Sequence, residues 1–134
     1  MVEDYRDVLI SRLCGPQCLH FVLRSCGMEA RLSSLVNVAL VAATGSTYAS
    51  LAQASVGLGL VPWLLTLRFD ELARILELSV PPAIVVINNN HFVCCCGIHN
   101  DSVDVYDPNL GHASWASPYF QSAWDGRALF LGLR

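Results

Sequence analysis

The chain has 134 residues, a length that suits a single domain spanning residues 1–134. It is 54% hydrophobic and only 14% charged, with a net charge of −3, eight Arg and no Lys. A core is easily built, apolar surface is left over for a partner, and the basic stripe that nucleic acid requires is missing.

The longest apolar stretches, 35–43 and 56–67, are too short to span a bilayer or are broken by Gly57, Gly59 and Pro62. The opening Met1-Val2-Glu3-Asp4-Tyr5-Arg6 lacks the basic-then-apolar order of a secretory signal, so the cytoplasm is the expected compartment. Of the six cysteines, Cys94, Cys95 and Cys96 are consecutive. That pattern reads as buried free thiols in a reducing compartment, not as a disulfide framework.

Residues 15–26 read as a helix, with Leu19, Val22, Leu23 and Cys26 on one apolar stripe and Gly27 as its stop. Ser33 is placed to cap a second helix over 33–42. Ser46 or Thr47 is placed to cap a third, which ends at Gly57 or Gly59. Residues 60–67 form the first predicted strand, with Pro62 near its start. Asp70 then caps a short helix over 71–78, and Pro81-Pro82 breaks the chain. The β-branched run Ala83–Ile87 is a buried strand, and Asn88-Asn89-Asn90 is a turn. Strands follow over 91–97 and 103–106, separated by the turn Asn100-Asp101-Ser102; Pro108-Asn109-Leu110-Gly111 turns again. A short helix from Ser117-Pro118 to Trp124 and a strand over 128–133 complete the chain. Helices come first and an antiparallel meander last, which reads as α+β.

Three residues in this frame carry chemistry. Cys14 stands where the first helix is expected to begin, followed by Gly15 and Pro16. Free N–H groups and a partial positive charge at such a terminus favour a thiolate. His91 begins a strand and Asp107 ends the neighbouring one. Strands about 4.8 Å apart allow the carboxylate to reach and orient the imidazole. A nucleophile, a base and an orienting acid are the parts of a cysteine peptidase.

These residues lie within longer motifs. Cys14-Gly15-Pro16-Gln17-Cys18-Leu19 with Leu23 and Cys26-Gly27 resembles the cysteine motif of the bacteriocin-processing, double-glycine-leader cysteine peptidases. Those papain-like domains are usually fused to the N-terminus of peptide-exporting ABC transporters. Pro82-Ala83-Ile84 followed by Asn90-His91-Phe92-Val93 resembles their histidine motif, and Val105-Tyr106-Asp107-Pro108 with Gly111 their aspartate motif. Phe120, Trp124 and Gly126 match the closing pattern. The resemblance spans nearly the whole chain. It implies a papain-like fold, N-terminal helices packed on a C-terminal antiparallel sheet, with a cleft between them. It also implies Cys14 as nucleophile, His91 as general base and Asp107 as orienting acid. The implied substrate is a leader peptide cut after a small-residue pair such as Gly-Gly. No cofactor and no metal are implied. An ABC transporter is the implied partner, here on a separate chain, through which the domain would associate with a membrane.

The family carries Gln six residues before the cysteine as an oxyanion donor, and this chain has Val8 there. Losing one such donor typically costs about 10²–10³ in rate. Leu13 replaces the acidic residue that normally precedes the cysteine. Gln17 is no obvious substitute, whereas the Cys14 backbone N–H is expected to stay available. A catalytically weak or inactive peptide-binding module on the same fold is therefore the alternative. Other readings carry less: a zinc site from His91, Cys95 and His99, a redox pair from Cys14 and Cys18, and Asp104 as a rival to Asp107.

Overall fold

The computed structural model describes the backbone of residues 5–28, 47–78, 80–89 and 91–133, with side chains from Cys14 to Gly132 in those ranges. The helix expected over 33–42 lies outside the described residues. Among the described residues there are four helices and six strands. In chain order they are α1 (Tyr5–Ser25), α2 (Tyr48–Gly57), β1 (Leu60–Thr66), α3 (Phe69–Leu76), β2 (Ala83–Ile87), β3 (His91–His99), β4 (Ser102–Asp107), β5 (Gly111–Ala116), α4 (Ser117–Ala123) and β6 (Arg127–Leu133).

The strands form one sheet in the order β1-β6-β2-β3-β4-β5, antiparallel throughout. Helices cover both faces. On one, Cys18, Leu19, Val22 and Leu23 of α1 and Leu51 and Ala54 of α2 pack on Leu60, Ile84, Phe92, Cys94 and Leu129. On the other, Leu72 of α3 and Phe120 of α4 pack on Val85, Val93, Cys95, Val103 and Val105. The second helical layer explains why β3 is apolar on both sides. Alternate residues face opposite ways along a strand, so Cys94 and Cys95 enter different cores, each fully buried.

Two predicted boundaries move. Helix α1 begins at Tyr5, well before Cys14, and Pro16 lies in its interior. Proline there withholds the N–H that would bond the Arg12 carbonyl, at about 3 kcal/mol. The buried face of Cys14, Cys18, Leu19, Val22 and Leu23 holds the helix through that break. Helix α3 is capped from Arg68, whose N–H donates to the Glu71 carboxylate at 2.9 Å, and not from Asp70. One strand has no counterpart in the sequence reading. β5 holds Gly111, Ala113, Ser114 and Ala116, poor strand formers, and exists through its ladder with β4. Thr47 does cap α2: its hydroxyl accepts the Ser50 N–H while the Ser50 hydroxyl accepts the Thr47 N–H.

Strands β2 and β6 meet in the single residue pairing Ile84 with Leu129, and Tyr48 reinforces the seam. Its buried hydroxyl accepts the Val86 N–H at 2.8 Å and lies 3.2 Å from both the Asp125 carboxylate and the Arg127 carbonyl. Its ring packs edge-on to Phe92 and lies under the Arg127 guanidinium. Tyr48→Phe would keep the ring but strand the Val86 N–H. An unsatisfied buried donor costs about 1–3 kcal/mol, so urea unfolding of this variant should show a loss of that size, and an unchanged midpoint would refute the role.

Candidate active site

Asp107 is the last residue of β4 and is buried. The turn that follows pins its carboxylate: Oδ1 accepts the Asn109 N–H at 2.8 Å, and the Asp107 carbonyl accepts the Leu110 N–H at 3.1 Å. This local bond, an aspartate capturing an amide two residues on, was not anticipated. The Asp-Pro-Asn order was its signal in the sequence.

His91 is the first residue of β3, set by a turn in which Asn88 and Asn89 adopt left-handed φ of 51° and 61°, a region Asn tolerates better than most residues. In the β3–β4 register Cys94 pairs with Tyr106. Continued toward the strand end, that register makes His91 the diagonal neighbour of Asp107, a pair long side chains can bridge. The imidazole Nε2 lies 3.0 Å from Asp107 Oδ1. An ionised carboxylate only accepts, so Nε2 carries the proton and Nδ1 is left able to receive one.

The imidazole also hydrogen-bonds the Cys14 side chain. The three predicted residues are therefore joined in one chain, Cys14 to His91 to Asp107, contributed by α1, β3 and β4. Strict alternation along β3 would put His91 on the face of Val93 and Cys95, away from α1. As the terminal strand residue it reaches the cysteine at the end of the sheet. The His91 pKa is raised above the ordinary 6.5, first by the hydrogen bond with Cys14 and then by the bond and charge of Asp107, against the opposing effect of burial.

The remaining candidates fall elsewhere. Asp104 pairs with His99, both largely exposed, at 3.2 Å. His91 and His99 are the two ends of the nine-residue β3, about 26 Å apart at 3.3 Å per residue, so they cannot share a zinc ion with Cys95. Burial pushes the Cys18 and Cys95 thiols well up and Cys96 up to about 12, which keeps all three protonated and unreactive near neutrality. One expectation is overturned. Cys14 lies inside α1, nine residues past its start, not at the helix N-terminus. Its amide belongs to the helical ladder and is not a free oxyanion donor. Val8 is also on α1.

A six-stranded antiparallel sheet with its cysteine-bearing helix packed on one face is the papain-like α+β fold. The chain belongs to the Peptidase C39 family, whose model matches residues 10–133. Solved structures agree in fold. The peptidase domain of Streptococcus ComA, a bifunctional ABC transporter of a quorum-sensing pathway, superposes with a TM-score of 0.84 at 23% identity, over 92% of this chain and 93% of that one. A double-glycine-motif protease from an AMS/PCAT transporter, solved with its leader peptide, gives 0.82 at 22% identity over 90% and 84%. The N-terminal C39-like domain of a toxin secretion ATP-binding protein from Vibrio parahaemolyticus gives 0.77 at 18% identity over 90% and 97%. No curated protein matches the chain.

The raised His91 pKa fixes a sign. The protonated ring is better stabilised folded than unfolded, so its contribution is complete below about pH 6.5 and is lost as pH rises through the folded value. NMR titration should place the His91 midpoint above 6.5. The midpoint should fall on Cys14→Ala and on Asp107→Asn; a midpoint indifferent to both would contradict the linkage.

Proposed function

We propose that the chain is a cysteine endopeptidase that removes the leader of an exported peptide, cutting after a small-residue pair of the Gly-Gly kind. The observation that carries this reading is the position of the His91 ring, hydrogen-bonded to Cys14 on one side and to Asp107 on the other. In this reading Nδ1 of His91 takes the Cys14 proton as the sulfur attacks the scissile carbonyl. The imidazolium returns that proton to the leaving amine as the C–N bond breaks, leaving a thioester and freeing the mature peptide. Water, deprotonated by the same imidazole, attacks the thioester and releases the leader. Asp107 keeps the ring in the required tautomer and balances its transient charge.

The whole chain acts as one domain in this reading. No described helix is long and apolar enough to cross a membrane, and an ABC transporter would hold the domain at the cytoplasmic surface. The leader has a place to dock away from the triad. Val61, Trp63 and Leu65 of β1, Ile75 of α3, Val80 and Phe130 line an apolar groove of about 350 Å³, with Trp63 58% exposed.

A peptide-binding module without turnover is the second reading, favoured by Val8 and by the engaged Cys14 amide. Mass spectrometry of Gly-Gly precursor peptides separates the two. Cleavage by the native chain, abolished in Cys14→Ala, supports the enzyme. Cleavage that appears only in Val8→Gln, about 10²–10³ faster in line with one restored donor, supports the module. In a cleaving protein, Trp63→Ser should raise KM about tenfold with kcat nearly unchanged, as expected for lost uniform binding; a fall in kcat alone would move the groove's role to the chemistry.

A further inference from the structure

We propose that a cleft between α1, β4 and β5, separate from the Cys14 site, binds an oxyanion, either a phosphate or a carboxylate group. The cleft encloses about 430 Å³ and is lined by His20, Phe21, Arg24, Ser25, Tyr106 and His112. Its wall is preassembled. Phe21 stacks on Tyr106 with ring centres 4.1 Å apart and planes 5° from parallel, and His112 meets both rings edge-on. Tyr106 and His112 face each other across the β4–β5 ladder, so the strand register and the stack fix the imidazole before any ligand arrives. On α1, residues 20, 21 and 24 share one face by helical spacing.

Four of the polar groups on this wall can each donate a hydrogen bond: the Arg24 guanidinium, which only donates, two imidazoles and a phenol. Ser25 spends its proton on the Val22 carbonyl and offers only its oxygen. No acidic side chain lines the cleft, and among the described residues no carboxylate pairs with Arg24. The negative pole of the helix end is muted, because the Val22, Leu23 and Arg24 carbonyls accept the Cys26, Met28 and Gly27 amides. A metal ion would meet the Arg24 guanidinium beside no more than two imidazoles, and no group of three His, Cys, Asp or Glu side chains that could hold a metal exists among the described residues. An oxyanion satisfies the guanidinium fork in the geometry it favours. His20 lies six residues beyond Cys14 on α1, about 9 Å of helix rise, so the cleft stands whether or not Cys14 is a nucleophile.

The test is an NMR titration of the isotope-labelled full chain with inorganic phosphate. A second arm uses a peptide carrying Glu and its Gln twin. Saturable shifts confined to Phe21, Arg24, Tyr106 and His112, weakened about tenfold or more in Arg24→Gln, as expected for loss of a charge-assisted bidentate contact, support the site. His112→Gln, which leaves α1 untouched, should weaken binding as well. Binding of phosphate alone assigns the site to a free ion. Binding of the Glu peptide in preference to its twin, competed by phosphate, assigns it to an acidic side chain. Shifts that fail to saturate with either probe, or that ignore both variants, overturn the proposal.

Discussion

The seating of α1 on β3 is the contact on which the site depends. Cys18, Leu19 and Val22 close against Phe92 and Cys94 in one core, and the Cys94 thiol donates to the Cys18 carbonyl at 3.6 Å. That packing sets the height of Cys14 above the sheet end where His91 emerges. In the proposed mechanism the nucleophile Cys14 and the base His91 come from elements separated by most of the chain, so only the core brings them together. A displacement of about 1 Å in such a pair costs on the order of 10² in rate. A close-packed core resists shifts of that size better than a loop would. Three of the apolar partners, Leu19, Val22 and Phe92, are thus part of the positioning of the site as well as of the stability of the fold.

The second constraint is electrostatic. Asp107 is buried at the end of β4 with its carboxylate held by the Asn109 amide and the His91 ring. A buried carboxylate without such partners would be costly. The two bonds make its burial tolerable and, through it, orient the imidazole toward Cys14. The neighbouring thiols lack any comparable arrangement. Burial first, and then neighbouring thiols, raise Cys18 and Cys95, which separates one cysteine with a basic partner from others that fill space.

Much of this was legible in the chain, and the rest was hidden for physical reasons. The helix stop at Gly27, the capping threonine of α2 and the β-branched run of β2 rest on local chemistry and read directly. Cys14, His91 and Asp107 were recognisable because each sits in a motif with turn residues beside it. The start of α1 was not, because Pro16 and Gly15 signal a helix beginning while packing of the stripe from Cys14 to Leu23 overrides them. That override matters chemically. It removes the helix-terminus field from Cys14 and leaves the His91 imidazole as the partner the proposed mechanism relies on. β5 was hidden because an edge strand of small residues owes its existence to its neighbour. The helices on the far face of the sheet were anticipated as elements, but their layer was not.

In the proposed mechanism the Cys14 sulfur takes its reactivity from His91. The most direct measurement is the rate at which Cys14 is alkylated by a small neutral reagent at neutral pH, followed by peptide mass mapping so that the other cysteines act as internal references. Cys14 should react fastest among the six cysteines, and His91→Ala should slow it about tenfold or more, since the thiolate is the reacting form. An equal rate in the two proteins, with the variant folded, would contradict it.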